Sequence, residues 1–369
     1  MNRLFRWDQM GLFLLALAAG ILPFAVPEVC AAALREGLTL CSGPLLLSLF
    51  PFLVVSRLLI QCPESDLLAL PFRLAAWGIG IRTPCAARVL CIGFLGGFAP
   101  AASAAAQAVR TGQLTAEEAD ALLPACICSG PSFVVLTVGQ SLLGSAELGV
   151  LLFASQITAN YLTAALLNRF AGVHSVKPGS AAPAFPAPPR LDEILADAAI
   201  TYCKLCGFIL FFRMLAAGAG ALLPAGAGTL CAILLEVCSG CDLASRTGRW
   251  GSLLCCAALS VQGLSVLLQV RTICPPEMTL RPLYRARMLH LPLSLALFYL
   301  LLPGGEADVF STLSARVLLM RRVPPDCALL VFAVCCMAAC TLRSGIRQVE
   351  QKQMARNAGG CCINSKTLL

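Results

Sequence analysis

The chain alternates between long runs without charge and short polar joints. Uncharged stretches occupy 9–27, 37–56, 89–109, 121–146, 148–168, 214–235, 251–270, 288–305 and 327–342, and 198–213 is apolar apart from Lys204 and Arg213. Roughly 20 apolar residues cross the hydrocarbon core of a bilayer as a helix. These runs therefore predict about eight to ten membrane segments. The first lies where a secretory signal would, but it is long and has no convincing small-residue cleavage site, which predicts a retained helix. Between 172 and 190, Pro178, Pro183, Pro186, Pro188 and Pro189 exclude a helix. The resulting division is an N-terminal helix at 1–36, a membrane repeat at 37–171, a proline-rich linker at 172–197, a second repeat at 198–343 and a basic tail at 344–369.

The two halves share an order of parts. In the first, Phe52 to Arg57 is followed by the glycine-broken Gly93 to Pro100 and then by Cys128-Ser129-Gly130-Pro131-Ser132. In the second, Phe208 to Arg213 is followed by Leu235 to Asp242, with Ser239-Gly240, and then by Gln262-Gly263-Leu264-Ser265. Repeats with interruptions at corresponding positions point to the binding site of a secondary transporter. The alternatives are a channel, a scaffold, or proline kinks packed against neighbours.

The physics of a break favours a site. In hydrocarbon every peptide N–H and C=O needs a partner, so unwound backbone persists only against protein or a wet cavity. Gly96, Gly97, Ser103, Ser129, Gly130, Ser132, Ser239 and Gly240 are therefore candidate solute contacts, with half-helix N-termini attracting an anion. Gln262, Ser265 and Gln269 lie at spacings that share a helical face, which suits either solute contact or interhelical packing.

Composition sharpens the class. Of 369 residues, 58% are hydrophobic and 12% charged, with a mean hydropathy of +0.82; soluble domains carry about 25% charged residues. This excludes a soluble hydrolase, a secreted disulfide scaffold and a nucleic-acid binder. The net charge of +8 comes from basic residues in short joints and in the tail, where Arg347, Lys352, Arg356 and Lys366 face the single acid Glu350. That bias predicts a cytoplasmic C-terminus, and Arg3 and Arg6 favour the same side for the N-terminus. The 21 cysteines fall largely in apolar runs, where a thiol is a small hydrophobe. The pairs Cys203/Cys206 and Cys238/Cys241 have zinc-like spacing but sit within or beside apolar helix. No metal, cofactor or catalytic role is assigned. Thr115-x-x-Glu118 is a capping box, predicting a helix start.

The span from about Leu45 to Ser294 resembles the YlbJ family of sporulation integral membrane proteins, also called stage V sporulation protein V, within the group bearing the nucleoside-transporter and FeoB Gate domain. The resemblance is carried by Leu49 to Ser56, Gly93 to Ser103, Gly112 to Ala119, Ser129-Gly-Pro-Ser-Phe133, Leu235-Glu-Val237 and Gly263 to Val270. It implies a transporter-like protein of endospore formers that moves dipicolinate from the mother cell across the outer forespore membrane. Two departures stand out. Gly97-Phe-Ala-Pro-Ala-Ala-Ser103 lacks a glycine and a lysine of the family pattern, and Ser129-Gly130-Pro131 lacks its asparagine.

Arg57 and Arg213 stand at corresponding places in apolar runs, and an ionised group there is a functional candidate. Arginine grips carboxylate through a planar fork, so the pair suits a dicarboxylate; snorkelling to the interface is the alternative. Glu236, the only acid from Met214 to Cys241, can carry a coupling proton, pair with an arginine, or cap a half-helix. The expectation is an all-α polytopic integral membrane protein with two pseudo-symmetric repeats, read as inverted, containing interrupted or re-entrant helices. Its partners are the lipid bilayer and a small anionic solute. A nucleoside or other neutral-solute carrier and a non-transporting scaffold are the alternatives, with homo-oligomerisation left open.

Overall fold

The computed structural model describes residues 2–61, 65–171 and 191–302, and among them the regular secondary structure is all helical, with no strand. In order these are α1 (Asn2–Ala25), α2 (Pro27–Ser42), α3 (Pro44–Gln61), α4 (Ser65–Leu68), α5 (Leu70–Gly78), α6 (Pro84–Gly96), α7 (Phe98–Arg110) and α8 (Ala116–Cys126). A π-helix, π1 (Ser132–Leu142), and α9 (Ala146–Ala171) complete the first half. The second comprises α10 (Leu191–Leu222), α11 (Ala225–Leu235), α12 (Val237–Ser245), a short 3-10 turn, α13 (Gly251–Val261), α14 (Gly263–Ile273) and α15 (Arg281–Leu301).

Among the described residues three helical stretches are long and apolar enough to cross a membrane: Ala146–Ala171, Leu191–Leu222 and Gly248–Ile273, the last of them interrupted at Gln262. The bent pair Leu15–Ala25 and Pro27–Ser42, which turns by 110°, makes a fourth if counted as one span. The expected eight to ten segments are thus represented by three or four long apolar spans, with shorter apolar helices such as Leu49–Ile60, Pro84–Gly96 and Ala225–Leu235 beside them. The stretches 89–109 and 121–146 are not single rods, because α6 stops at Gly96 and α8 at Cys126. Uniform apolarity records burial or lipid contact, and the halves of a broken rod are as apolar as an unbroken one. The boundary drawn at 36/37 falls inside α2, and residues 191–197 of the expected linker are the start of α10. The proline run at 172–190, the stretch 327–342 and the tail lie outside the described residues.

Large apolar side chains face outward, including Phe24, Leu74, Phe170, Met288 and Leu300, as a lipid-facing shell requires. Inside, α7 is buried nearly all round through seven alanines from Ala99 to Ala108. Small side chains let neighbouring helices approach closely where lipid offers no hydrophobic drive. Thr115 and Glu118 form the predicted capping box at the start of α8, with Glu118 N–H donating to Thr115 Oγ1 at 3.1 Å and Thr115 N–H donating to Glu118 Oε2 at 3.1 Å.

Candidate functional site

Four interruptions build the site. The first lies between α6 and α7, where Gly97 adopts φ +81° and ψ −164°, a region nearly exclusive to glycine. The second runs from Ile127 to Pro131, between α8 and π1. The third is the extended residue Glu236 between α11 and α12, and the fourth is Gln262, left-handed at φ +62°, between α13 and α14. Glycine stands at the first, second and fourth interruptions and Pro131 at the second, and a capping side chain, Glu236, stands at the third.

The interruptions meet in two crossings. A Cβ on Gly97 would lie 2.7 Å from Gly130 N and 3.0 Å from its Cα, so the first and second breaks touch backbone to backbone. A Cβ on Gly263, at φ +71°, would lie 2.8 Å from Glu236 N and 2.9 Å from the Leu235 carbonyl, so the third and fourth do likewise. Glycine is required at both for lack of room. The crossings are themselves tied together, since Gln262 Nε2 donates to Ile127 O at 3.4 Å. Arg287 Nη2 from α15 and Asn160 Nδ2 from α9 donate to the same carbonyl at 2.6 and 3.3 Å. One buried carbonyl at the second break thus receives donors from three elements, which answers the partner requirement of unwound backbone.

A cavity of about 60 Å³ lies between the crossings. Its polar wall includes Gly96, Ser129, Gly130 and Ser132 from one pair of breaks and Glu236, Cys238 and Gln269 from the other; Leu45, Leu49, Phe98, Phe133, Ile209 and Val266 line the remainder. Glu236 is 2% exposed and caps α12, accepting the N–H groups of Cys238 and Ser239 at 2.7 Å each. Of the three roles open for Glu236, capping is the geometry observed. Gln269 Nε2 donates to Ser265 Oγ at 2.9 Å, and Gln269 Oε1 is buried without a partner among the described residues.

The arginines stand elsewhere. Arg57 pairs with Asp197 at 2.6 Å and Arg213 with Glu36 at 2.6 Å, the partner carboxylates being mostly exposed. Neither arginine lines the cavity, so the expected two-arginine grip on a solute there is not the arrangement found. Among the residues lining it, Glu236 is the one Asp, Glu, Lys, Arg or His. A chamber biased towards positive charge was expected from half-helix N-termini; here the α12 N-terminus is already occupied by Glu236. Ser103 lines a different cleft, beside Arg57. Ser239, Gly240, Ser265 and Gln262 are buried behind the wall, with Gly240 packed against the Ile233 backbone.

Two buried cations were missed. Arg88, 4% exposed, pairs with Asp66 and donates to Ile60 O at 2.8 Å and Gln113 Oε1 at 2.9 Å. Arg287, 8% exposed, donates among the described residues to two carbonyls, those of Ile127 and Ser260. Each adjoins an uncharged stretch, so a search for charge-free runs places both at membrane edges. Among the described residues no three His, Cys, Asp or Glu side chains gather as metal ligands. No protein-family model, curated protein or solved structure matches the chain.

Proposed function

We propose that this chain is a membrane solute carrier whose binding site is the cavity between the two crossings. The observation that carries the reading is that residues at three helix interruptions, Gly96, Ser129-Gly130 and Glu236, line one small, largely apolar cavity, with the fourth interruption packed directly behind Glu236. Interrupted helices in two matched sets are the arrangement expected of repeat-built carriers, with the site near the bilayer midplane. In this reading α6/α7 corresponds to α11/α12, and α8/π1 to α13/α14, as two pseudo-symmetric repeats. Movement of one crossing against the other would open the chamber to alternate sides.

Of the solute classes open from sequence, the lining, largely apolar with one carboxylate and a few polar groups, favours an uncharged solute, such as a nucleoside, over a dicarboxylate. Glu236 and the free oxygen of Gln269 offer acceptors, while the two arginines suited to carboxylate are engaged by Asp197 and Glu36. A dicarboxylate would meet like charge without a compensating cation. The dipicolinate and forespore assignments follow from the family resemblance alone. Glu236 remains the coupling candidate, as the carboxylate on the wall.

The test is uptake of radiolabelled uridine and of dipicolinate into vesicles containing the purified chain, with and without a pH gradient. Uridine accumulation above protein-free vesicles is expected, reduced at least tenfold by Glu236→Gln. Accumulation of dipicolinate alone would return the anion reading. Entry of neither solute would remove the carrier reading and favour a scaffold.

A further inference from the structure

A second cavity, of about 170 Å³, opens where α7 and α14 end against the first third of α10. Its wall includes Arg57 from α3, Ser103 and Arg110 from α7, and Asp197, Thr201 and Lys204 from α10. It lies one turn along from the carrier chamber: Gln269 lines the chamber and Thr272 the cleft on α14, and Ile209 and Leu205 do the same on α10.

The length of α10 sets its depth. Thirty-two residues span about 48 Å at 1.5 Å per residue, more than the hydrocarbon core of roughly 30 Å. From Leu205 to Leu222 the helix is apolar except for Arg213, whereas 191–204 carries Asp192, Glu193, Asp197 and Lys204. Lys204 therefore marks where α10 leaves the hydrocarbon. The cleft sits at headgroup depth.

Its charge is unbalanced. Three cations face one carboxylate, Asp197, and two helix C-termini each worth roughly half a negative charge, which leaves a surplus of about one positive charge. Arg57 is held in place by Asp197 Oδ2 at 2.6 Å and Thr201 Oγ1 at 3.3 Å, and its Nε is buried with no acceptor among the described residues. Arg110 and Lys204 are exposed and have no carboxylate within 4 Å among the described residues. Ser103 is 4% exposed, and its hydroxyl makes no hydrogen bond among the described residues.

We propose that this cleft binds a phosphate-type oxyanion, held by Arg57, Arg110 and Lys204, with the Ser103 hydroxyl as a further donor. A preordered guanidinium, two mobile cations and an unengaged hydroxyl suit an ion with several acceptor oxygens. Two sources carry that chemistry at this depth, a phospholipid headgroup and a free phosphate. The site stands independently of the carrier reading, since it shares no residue with the chamber.

Thermal unfolding of the purified full chain in neutral detergent tests it, with inorganic phosphate, short-chain phosphatidylglycerol or short-chain phosphatidylcholine added. Phosphate or phosphatidylglycerol should raise Tm by several degrees, and phosphatidylcholine much less. The double variant Arg110→Gln/Lys204→Gln should lose that response, while Arg249→Gln/Arg285→Gln, with the same charge change on exposed side chains outside the cleft, should keep it. A response to phosphatidylglycerol alone assigns the site to lipid, and a response to phosphate assigns it to the free ion. No response to either, or an equal response in both double variants, overturns the site.

Discussion

The two crossings meet the same steric demand with different residues. At the first, Gly97 lies against Gly130 and no side chain caps α7; at the second, Gly263 lies against Leu235 and Glu236, and Glu236 caps α12 with both oxygens. Close approach and charge are thus separable features of a helix break. Glycine provides the approach at both crossings. Only the second brings an ionisable group to the cavity, so the chamber is electrostatically one-sided even though the breaks match in order.

The largest effect should come from the first crossing. Gly97→Ala forces a Cβ into a glycine-only backbone region, costing about 1–3 kcal/mol, and sets it 2.7 Å from a backbone nitrogen that cannot rotate aside. A loss of roughly 3 kcal/mol or more is expected once the overpacking cost is included, read as a large fall in Tm in detergent. Gly130→Ala is the contrast, because its Cβ would meet nothing nearer than 3.4 Å. That variant should lose less than about 1 kcal/mol, the scale of an ordinary unstrained substitution. Equal losses would show that the crossing is not set by Gly97.

At the second crossing the cap is the separable part. Glu236→Ala leaves the N–H groups of Cys238 and Ser239 without their acceptor, and a lost N-cap costs about 0.5–2 kcal/mol. Glu236→Gln retains one acceptor oxygen and should cost less than half of that. In unfolding experiments the order should be wild type, Glu236→Gln, then Glu236→Ala. If uptake and stability fall in parallel across the two variants, Glu236 acts through the cap alone; a Glu236→Gln protein that is stable yet inactive separates its charge from its cap.

The breaks were legible from sequence because they obey local rules. Gly96-Gly97, Ser129-Gly-Pro-Ser132 and Gln262-Gly263 fall at interruptions, because glycine and proline weaken a helix locally; Ser239-Gly240 does not, since it lies inside α12 and the chain breaks three residues earlier, at Glu236. Partners were not legible. Arg57 and Arg213 looked like a matched pair, but their acids, Asp197 and Glu36, are 140 and 177 residues away in sequence, and periodicity carries no information on that scale. Arg88 and Arg287 were hidden for a related reason, since a long stem lets the charge find carbonyls at a break or helix end. Asp120 likewise bounds an apolar run, yet is 6% exposed and accepts from Thr279 N at 2.8 Å and Leu280 N at 3.1 Å, ahead of α15. The π-helix after Pro131 has no sequence signature of its own; a Cβ on Gly139 would lie 2.4 Å from Gly149 Cα, so tertiary contact with α9 accompanies it.

The smallest expected effect sharpens the comparison most. Gln262 is a non-glycine residue at φ +62° whose amide donates to Ile127 O at 3.4 Å, a long bond. A left-handed conformation costs an L-residue about 1–2 kcal/mol, and a net hydrogen bond contributes about 0.5–1.5 kcal/mol at better geometry than this. Gln262→Gly relieves the backbone, loses the bond and adds roughly 0.5–1 kcal/mol of unfolded-chain entropy, so its stability should fall within about 1 kcal/mol of wild type. Gln262→Ala keeps the strain and loses the bond. It should therefore be less stable than Gln262→Gly by about half to one kcal/mol, provided the relief exceeds the added entropy. If the alanine variant proves equal or better, Gln262 is not held left-handed, and the fourth break loses the sharp turn that brings Gly263 against Glu236.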